Sequence, residues 1–572
     1  MPQSTFTLLK GVILTTSMIL CGALAGQAQD LPAGWWIPSD ASTYVPIESW
    51  VYPAFERLAA EGYLQTAFFS LRPWTRNECA RLEEEAKEAQ EQTPAPAGSD
   101  VPGLLKALRQ EFAPELSDPG PPRYSGQIES ADQRVTVIAG RPLTDGFHFA
   151  ETLVDNEGRP FGRGTNLYTG LSLRGNAGRF AGYVRGEFQR AASAPEPDAF
   201  AQQQIAAADF TSSAAEGPIS GVARGRLLEG YIAFGVKNNQ FTFGRQSLWW
   251  GPARSGSTLF SNNAEPIDML RYDRVSPFRI PGPFRWLGDI RAQFFFGRLA
   301  GAQFARATNV LYGDPGFALS NQPFLHGIKV GFHPTSNFEF SVSRTVIFGG
   351  PGAPVTMHSF LRSIFSVSAE NGSIDPGDRR VAFDAQYRIP GLRKCLTGYF
   401  DGFAEDQPFP LVYPTESTWI AGAYLRCVPK LPRLTVRAEG LLSPHRNLAF
   451  PGFFYFNVHY LSGYTNERRL IGSWIGRQGN GEQLWATWHL SPKSSIEVSG
   501  RSMTVSHEFL SGGYVRDLRF AADIYLRPTL QLVAEEQTEW WRFPLLSPAQ
   551  QRNASVTLQL SYRPPAKTQK TQ

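Results

Sequence analysis

The chain has 572 residues, and its 55 basic and 51 acidic side chains leave a formal net charge of +4, a balance that excludes the strongly basic surface of a nucleic-acid binder. Mean hydropathy is -0.25, and no run beyond the N-terminus is long and apolar enough to cross a bilayer as a helix, which excludes a helical membrane bundle. The 54 glycines and the 13% of aromatic residues suit tight turns and interfacial girdles.

Residues 1–28 read as a secretory signal peptide. Lys10 is its basic region, Gly11 to Leu20 its apolar core, and Gly26-Gln27-Ala28 a small-residue cleavage site before Gln29. Cys21 raises a lipoprotein reading, but Leu20 stands where a small residue is expected. Cleavage removes one basic residue, Lys10, and no acidic one.

Residues 29–120 are expected to form a small periplasmic helical domain. Val51, Phe55, Leu58 and Ala59 recur at helical spacing, and Gly62 is a natural stop. Thr75-Arg76-Asn77-Glu78 is a capping box, with Trp74 placed to staple against Cys79. The helix it opens runs through Leu82 into the acidic stretch Glu83 to Glu91. Thr93 to Ser99 is a linker, and Leu104, Leu105, Leu108 and Phe112 stripe a third helix.

From 121 to 563 the pattern changes to paired segments that alternate apolar and polar residues. Val381 to Arg388, Leu518 to Leu526 and Val556 to Tyr562 are examples. Period-two alternation sets one face in an apolar medium and the other in a polar one. Tight turns fall at Asn176–Arg179, Lys237–Gln240, His333–Asn337, Ile389–Leu392, Val428–Pro432, Ser491–Lys493 and Arg527–Thr529. Long loops lie near 191–225, 248–288, 349–378, 442–481 and 539–552. With one further hairpin around Arg298–Ala302, the count is about 18 antiparallel strands, an all-β transmembrane barrel with both termini on the short-turn, periplasmic side. Phe338-Phe340-Val342 and Ile328-Val330-Phe332 are expected to face lipid, and Glu339-Ser341-Ser343 and Lys329-Gly331-His333 the interior. Residues 564–572 form a tail beyond Tyr562, which is the aromatic strand end. Cys395 opens one strand and Cys427 closes the next, so a hairpin brings them close; a disulfide and two buried thiols are both open readings.

The stretches Tyr44 to Pro53, Gly244 to Pro252 and Arg469 to Gly476 together resemble the Wzi family of outer-membrane capsule-assembly proteins. The resemblance begins at Tyr44-Val45-Pro46-Ile47-Glu48-Ser49-Trp50-Val51-Tyr52-Pro53 and continues through Phe55 to Gly62 and Arg72-Pro73-Trp74. It is strongest at Gly244-Arg245-Gln246-Ser247-Leu248-Trp249-Trp250-Gly251-Pro252 and Leu259 to Pro266, and returns at Arg469 to Gly476. The resemblance implies a barrel of about 18 strands with a periplasmic helical unit, and a lectin-like role in holding capsular or extracellular polysaccharide. The helical unit also resembles one repeat of an S-layer-homology module, which binds cell-wall polymer.

Sugar binding needs aromatic faces together with amides or charged groups. Trp249, Trp250, Asn262 and Asn263 fit that need, as do Arg271 and Arg274 for an anionic polymer. Against this, the tryptophans suit an interfacial girdle, and the arginines suit lumenal pairing with Asp268, Asp273 and Asp289. No nucleophile elbow, zinc helix or P-loop occurs. His459 with Ser462 and His507 with Glu508 are the nearest approach to hydrolase parts. The expected function is non-enzymatic binding and surface assembly of capsular or extracellular polysaccharide by a monomer, without cofactor or metal. The other expected partners are outer-membrane lipid and the barrel-insertion machinery. A sugar-selective porin with a wall-binding helical module is the alternative, and an outer-membrane hydrolase the third reading.

Overall fold

The computed structural model describes residues 29–30 and 40–565, apart from 97, 117–123, 195, 215–220, 314–318, 366–376, 393–394, 406–408 and 444–449. The expected signal peptide and the tail beyond Pro565 lie outside the described residues. Eighteen strands follow one another: β1 Tyr124–Ile138, β2 Gly164–Ala177, β3 Phe180–Ala191, β4 Val222–Val236, β5 Asn239–Gln246, β6 Ile267–Arg274, β7 Asp289–Arg298, β8 Phe324–Thr335 and β9 Phe338–Phe348, then β10 Asp378–Arg388, β11 Leu396–Glu405, β12 Ser417–Leu425, β13 Leu434–Leu442, β14 Gly479–His489, β15 Ser495–Val505, β16 Gly513–Arg527, β17 Leu530–Arg542 and β18 Gln551–Tyr562. Each pairs antiparallel with its sequence neighbours, and β18 closes on β1 with Ala131 opposite Tyr562 and Ile138 opposite Ser555. Closure leaves no sheet edge, and with it no unpaired backbone for lipid to meet.

The alternation sorts as expected. On β18, Val556, Leu558, Leu560 and Tyr562 are exposed outward, while Ser555, Thr557 and Ser561 are buried on the lumenal side. Leu171, Ile232, Phe243, Leu270, Leu518 and Phe520 extend this exposed apolar wall around the barrel. Water disfavours such a belt and lipid accommodates it. One end of the barrel carries short turns. Lys237 and Asn238 join β4 to β5 with positive φ at both positions (44° and 65°), which matches the right-handed strand twist. The other end carries the long loops.

The strand count is reached by a different route in one sector. The hairpin expected around Arg298–Ala302 does not form: Asp289–Arg298 is one continuous strand between β6 and β8. Likewise the expected loop 248–288 contains β6. Its lumenal positions include Arg271 and Asp273, which pair with each other inside the barrel, so the stretch reads as a polar loop.

The helical unit comprises α1 Val51–Ala60, α2 Arg76–Gln92 and α3 Val101–Glu111 around one apolar cluster that includes Phe55, Trp74, Cys79, Leu82, Leu104 and Phe112. Thr75 caps α2 by accepting from the Glu78 N–H at 3.1 Å. The reciprocal half of the box is absent, because the Glu78 carboxylate is engaged by Arg81. The unit seats on the turn end of the barrel. Arg388 donates to the Leu64 carbonyl (2.9 Å), and Arg426 to Glu61 and Asp100 (both 2.8 Å). At the same end Cys395 and Cys427 are disulfide-bonded, with Cα atoms 4.7 Å apart.

Candidate functional site at the loop end

The lumen is largely filled from both ends. From the turn end, the segment after α1 reaches inward, and Ser70 donates to Glu339 through its N–H (3.2 Å) and hydroxyl (2.8 Å). From the loop end, residues 247–266 fold down into the barrel. The two meet through a reciprocal backbone pair, Arg72 N–H to Trp249 O (3.1 Å) and Trp249 N–H to Arg72 O (3.0 Å). Lumenal carboxylates pin the descending loop: Asp401 accepts from Thr258 N–H and Oγ1 (2.8 and 2.7 Å), and Glu439 from the N–H groups of Arg254 and Ser255 (2.7 and 3.0 Å). The lumenal glycines of β8 make the room. A Cβ on Gly327 would lie 2.5 Å from the Phe295 ring and 3.0 Å from that of Trp250, and one on Gly331 would lie 2.8 Å from Phe68.

Beyond the packed part of the lumen, the loop end carries a concave site. A cavity of about 330 Å³ lies among residues 145–148, 196–214, 301–304 and 461–468 of the long loops. Gln202 and Arg468 offer it accessible polar groups, while Gln303, Thr465, Phe147 and Phe304 line it as buried side chains. Helix α4, Ala199–Ala208, is capped by the Asp198 carboxylate on the Ala201 N–H (2.8 Å) and sets Gln202 on the cavity wall.

A buried charge relay locks these loops together. His148 Nδ1 lies 2.7 Å from Asp145 Oδ2, and its Nε2 2.9 Å from Asp209 Oδ2. Asp209 Oδ1 accepts from Arg477 Nη1 at 2.6 Å, and Arg477 Nε donates to the Gly452 carbonyl at 2.7 Å. The Arg477 guanidinium lies 4.3–4.9 Å from the ring centres of Phe147, Phe456 and Phe509. Burial disfavours the His148 imidazolium, but the two flanking carboxylates outweigh it and push its pKa up to about 10. Its unfolded value is about 6.5. The stabilisation is therefore complete below pH 6.5 and is lost as pH rises through about 10. Proteolytic cleavage of these loops is expected to rise between pH 8 and pH 10.5 in wild type. His148→Gln should show no such step; a step of equal size in both proteins would assign the change to another group.

The residues singled out from the sequence lie below this cavity rather than on it. Trp250 is 1% exposed, packed edge-on against Phe260 and Phe295, with its N–H on Gln293 at 2.8 Å. Trp249 is 5% exposed, with the Arg72 guanidinium 5.1 Å from its ring centre. Neither leaves a ring face for a sugar to stack on. Asn263 bridges loops, accepting from Asp155 N–H (2.7 Å) and donating to the Gly472 carbonyl (3.1 Å), while the Asn262 carbonyl accepts from Glu157 N–H (2.6 Å). Arg271 donates to Asp273 (2.9 Å) and the Pro73 carbonyl (3.2 Å) beneath the Tyr44 ring, and Arg274 reaches Asn239 and the Phe278 ring. Asp268 and Asp289 are taken by Arg245 and Arg279. Lumenal pairing thus describes Arg271, on Asp273, whereas Asp268 lies on the outward side of β6. The hydrolase constellations do not assemble: the Ser462 hydroxyl accepts from the N–H groups of Gln303 and Phe304 (2.8 and 3.2 Å), and His507 is exposed on loop 506–512. Asp145, Asp209, Gln202, Gln303 and Arg477 had no sequence signal, because they converge from loops far apart in the chain.

The fold and this site define a closed eighteen-stranded β-barrel of outer-membrane type whose lumen is entered by its own loop 247–266 and by the segment after α1. The family model for the capsule assembly protein Wzi matches residues 133–556. The chain belongs to that family. Its backbone is similar to that of Escherichia coli Wzi, described as an outer-membrane protein involved in group 1 capsule assembly and a carbohydrate-binding β-barrel. The TM-score is 0.64 at 14% identity, covering 92% of this chain and 100% of that one. Over 181 residues the chain is 24% identical to an uncharacterized 55.8 kDa protein of the cps region of Klebsiella pneumoniae, spanning 31% of this chain and 32% of that relative.

Proposed function

We propose that this protein is an outer-membrane lectin-like barrel that binds capsular or extracellular polysaccharide at its loop end and assists its assembly at the cell surface, without covalent chemistry. The observation that carries this reading is the use of the long loops: they enter the lumen and leave a locked cavity with polar groups at the loop end. The family and the carbohydrate-binding description of Escherichia coli Wzi support it. In this reading Gln202 and Arg468 meet the polymer, and Trp249, Trp250, Asn262, Asn263, Arg271 and Arg274 position the loops and plug. A repeating polymer engages many barrels at once, so weak contacts suffice. The barrel acts as a monomer, with both strand termini and the helical unit in the periplasm and residues 1–28 removed on export.

One observation favours a second reading, a sugar-selective porin. A polar chamber of about 550 Å³ remains along the inner faces of β14–β18 and β1–β3. Planar-bilayer recording separates the two. The lectin reading expects polymer binding with no steady conductance from wild type; steady porin-size steps without polymer binding would put the porin first.

A further inference from the structure

Two elements lie on the outside of the same barrel sector, one at each end. At the loop end, helix α5, Met357–Phe365, lies against the outer wall. Phe360 packs 5.5 Å from Phe296 and 6.1 Å from Phe348, both outward-facing, and Ser363 bonds the outward-facing His326 at 2.9 Å. A neighbouring face of the helix leaves Met357 and Leu361 open to the surroundings, 72% and 45% exposed, next to Val355.

At the turn end, the β6–β7 connection curls over the wall. Phe278 and Leu287 bury against the outward faces of Ile290, Ala292, Val330 and Phe332. Gly288 makes this approach, at φ 72° and with no room for a Cβ beside the His333 carbonyl. The short 3-10 helix Gly282–Leu287 then projects Phe284 and Trp286, 47% and 66% exposed, beside Arg279 and Arg285.

The spacing of the two is informative. They sit at opposite ends of β8, which is 12 residues long. Their contacts meet β8 between Phe324 or His326 and Phe332 or His333, which at about 3.3 Å per residue and a tilt of about 40° is roughly 15–23 Å along the barrel axis, close to the ~25 Å apolar band of such barrels. Both projecting patches are continuous with the apolar wall, so the surface that covers the wall reaches them too. Their mixture of large apolar side chains with Arg and His suits the boundary between acyl chains and headgroups.

We propose that α5 and the Gly282–Leu287 helix are interfacial lipid anchors, one in each leaflet, that fix the depth of this flank of the barrel. The ligand class is membrane lipid at the acyl–headgroup boundary. The anchors hold the loop-end cavity at a set height above the surface.

The test uses the full-length protein in phosphatidylcholine vesicles carrying acyl chains brominated close to the headgroup. Wild type is compared with Trp286→Phe, and Trp286→Phe with Trp286→Phe/Leu361→Trp. In each comparison the difference signal, that of Trp286 or of the introduced tryptophan, should be quenched at least twofold by the brominated lipid and shielded from aqueous iodide. Quenching by iodide and not by brominated lipid at both positions would overturn the proposal. So would loss of iodide access only where the protein self-associates, which would assign the patches to a second copy of the chain. Retained heat-modifiable mobility on gels shows that each variant is folded.

Discussion

Trp250→Ala is expected to lower the thermal midpoint sharply and to turn a silent barrel into a noisy one. The side chain is 1% exposed, its N–H is satisfied by Gln293, and its ring fills the space left by the missing Cβ of Gly327. Truncating a buried aromatic of this kind costs about 3–5 kcal/mol, because the cavity it leaves cannot collapse against a closed sheet. The loss falls on the junction between the descending loop and the N-terminal segment, where Trp249 and Arg72 exchange backbone bonds. The barrel ladder itself is untouched, so strands should remain protected while the plug loosens. Midpoint by near-UV circular dichroism and fluctuating conductance in planar bilayers are the two readouts. An unchanged midpoint and a silent bilayer would show that the plug does not depend on this contact.

Arg477→Met should abolish the loop-end site while leaving the barrel standing. The guanidinium is fully buried, pairs with Asp209, bonds the Gly452 carbonyl and lies among three aromatic rings. Removing one member of a buried pair costs about 3–5 kcal/mol, largely because the partner's charge is left uncompensated. His148 holds Asp209 from the other side, so the damage should spread through Asp145 to loop 139–163. Hydrogen exchange is expected to rise in residues 139–163, 199–214 and 450–478 and to stay unchanged in β14–β18. Polysaccharide binding should fall at least tenfold. Binding at wild-type strength in the face of faster exchange would separate the relay from the site.

The barrel was legible because its physics is local. Alternation, turn chemistry and loop length are all written within ten or so residues, and the helical unit likewise follows from spacing and the Thr75 cap. What was not legible is what fills the barrel. β6 hides because its inward side carries Arg271 and Asp273, satisfied by partners on other strands and in the helical unit. Trp249 and Trp250 stand out in the sequence as sugar platforms, yet their burial is decided by Phe260, Phe295 and Arg72, none of which marks them locally. The relay behind the cavity joins residues 61 and 268 positions apart, a separation no motif spans. Loop-built sites are of this kind: the scaffold is periodic and readable, and the convergence of its loops is not.

The most direct measurement is binding of the purified protein to its host's own extracellular polysaccharide, with wild type beside Gln202→Ala/Arg468→Ala. Both side chains line the cavity, neither is fully buried, and neither belongs to the barrel ladder. The lectin reading predicts binding by wild type and at least a tenfold loss in the folded double variant. Wild type that ignores the polymer, while passing ions through a steady pore, would contradict it.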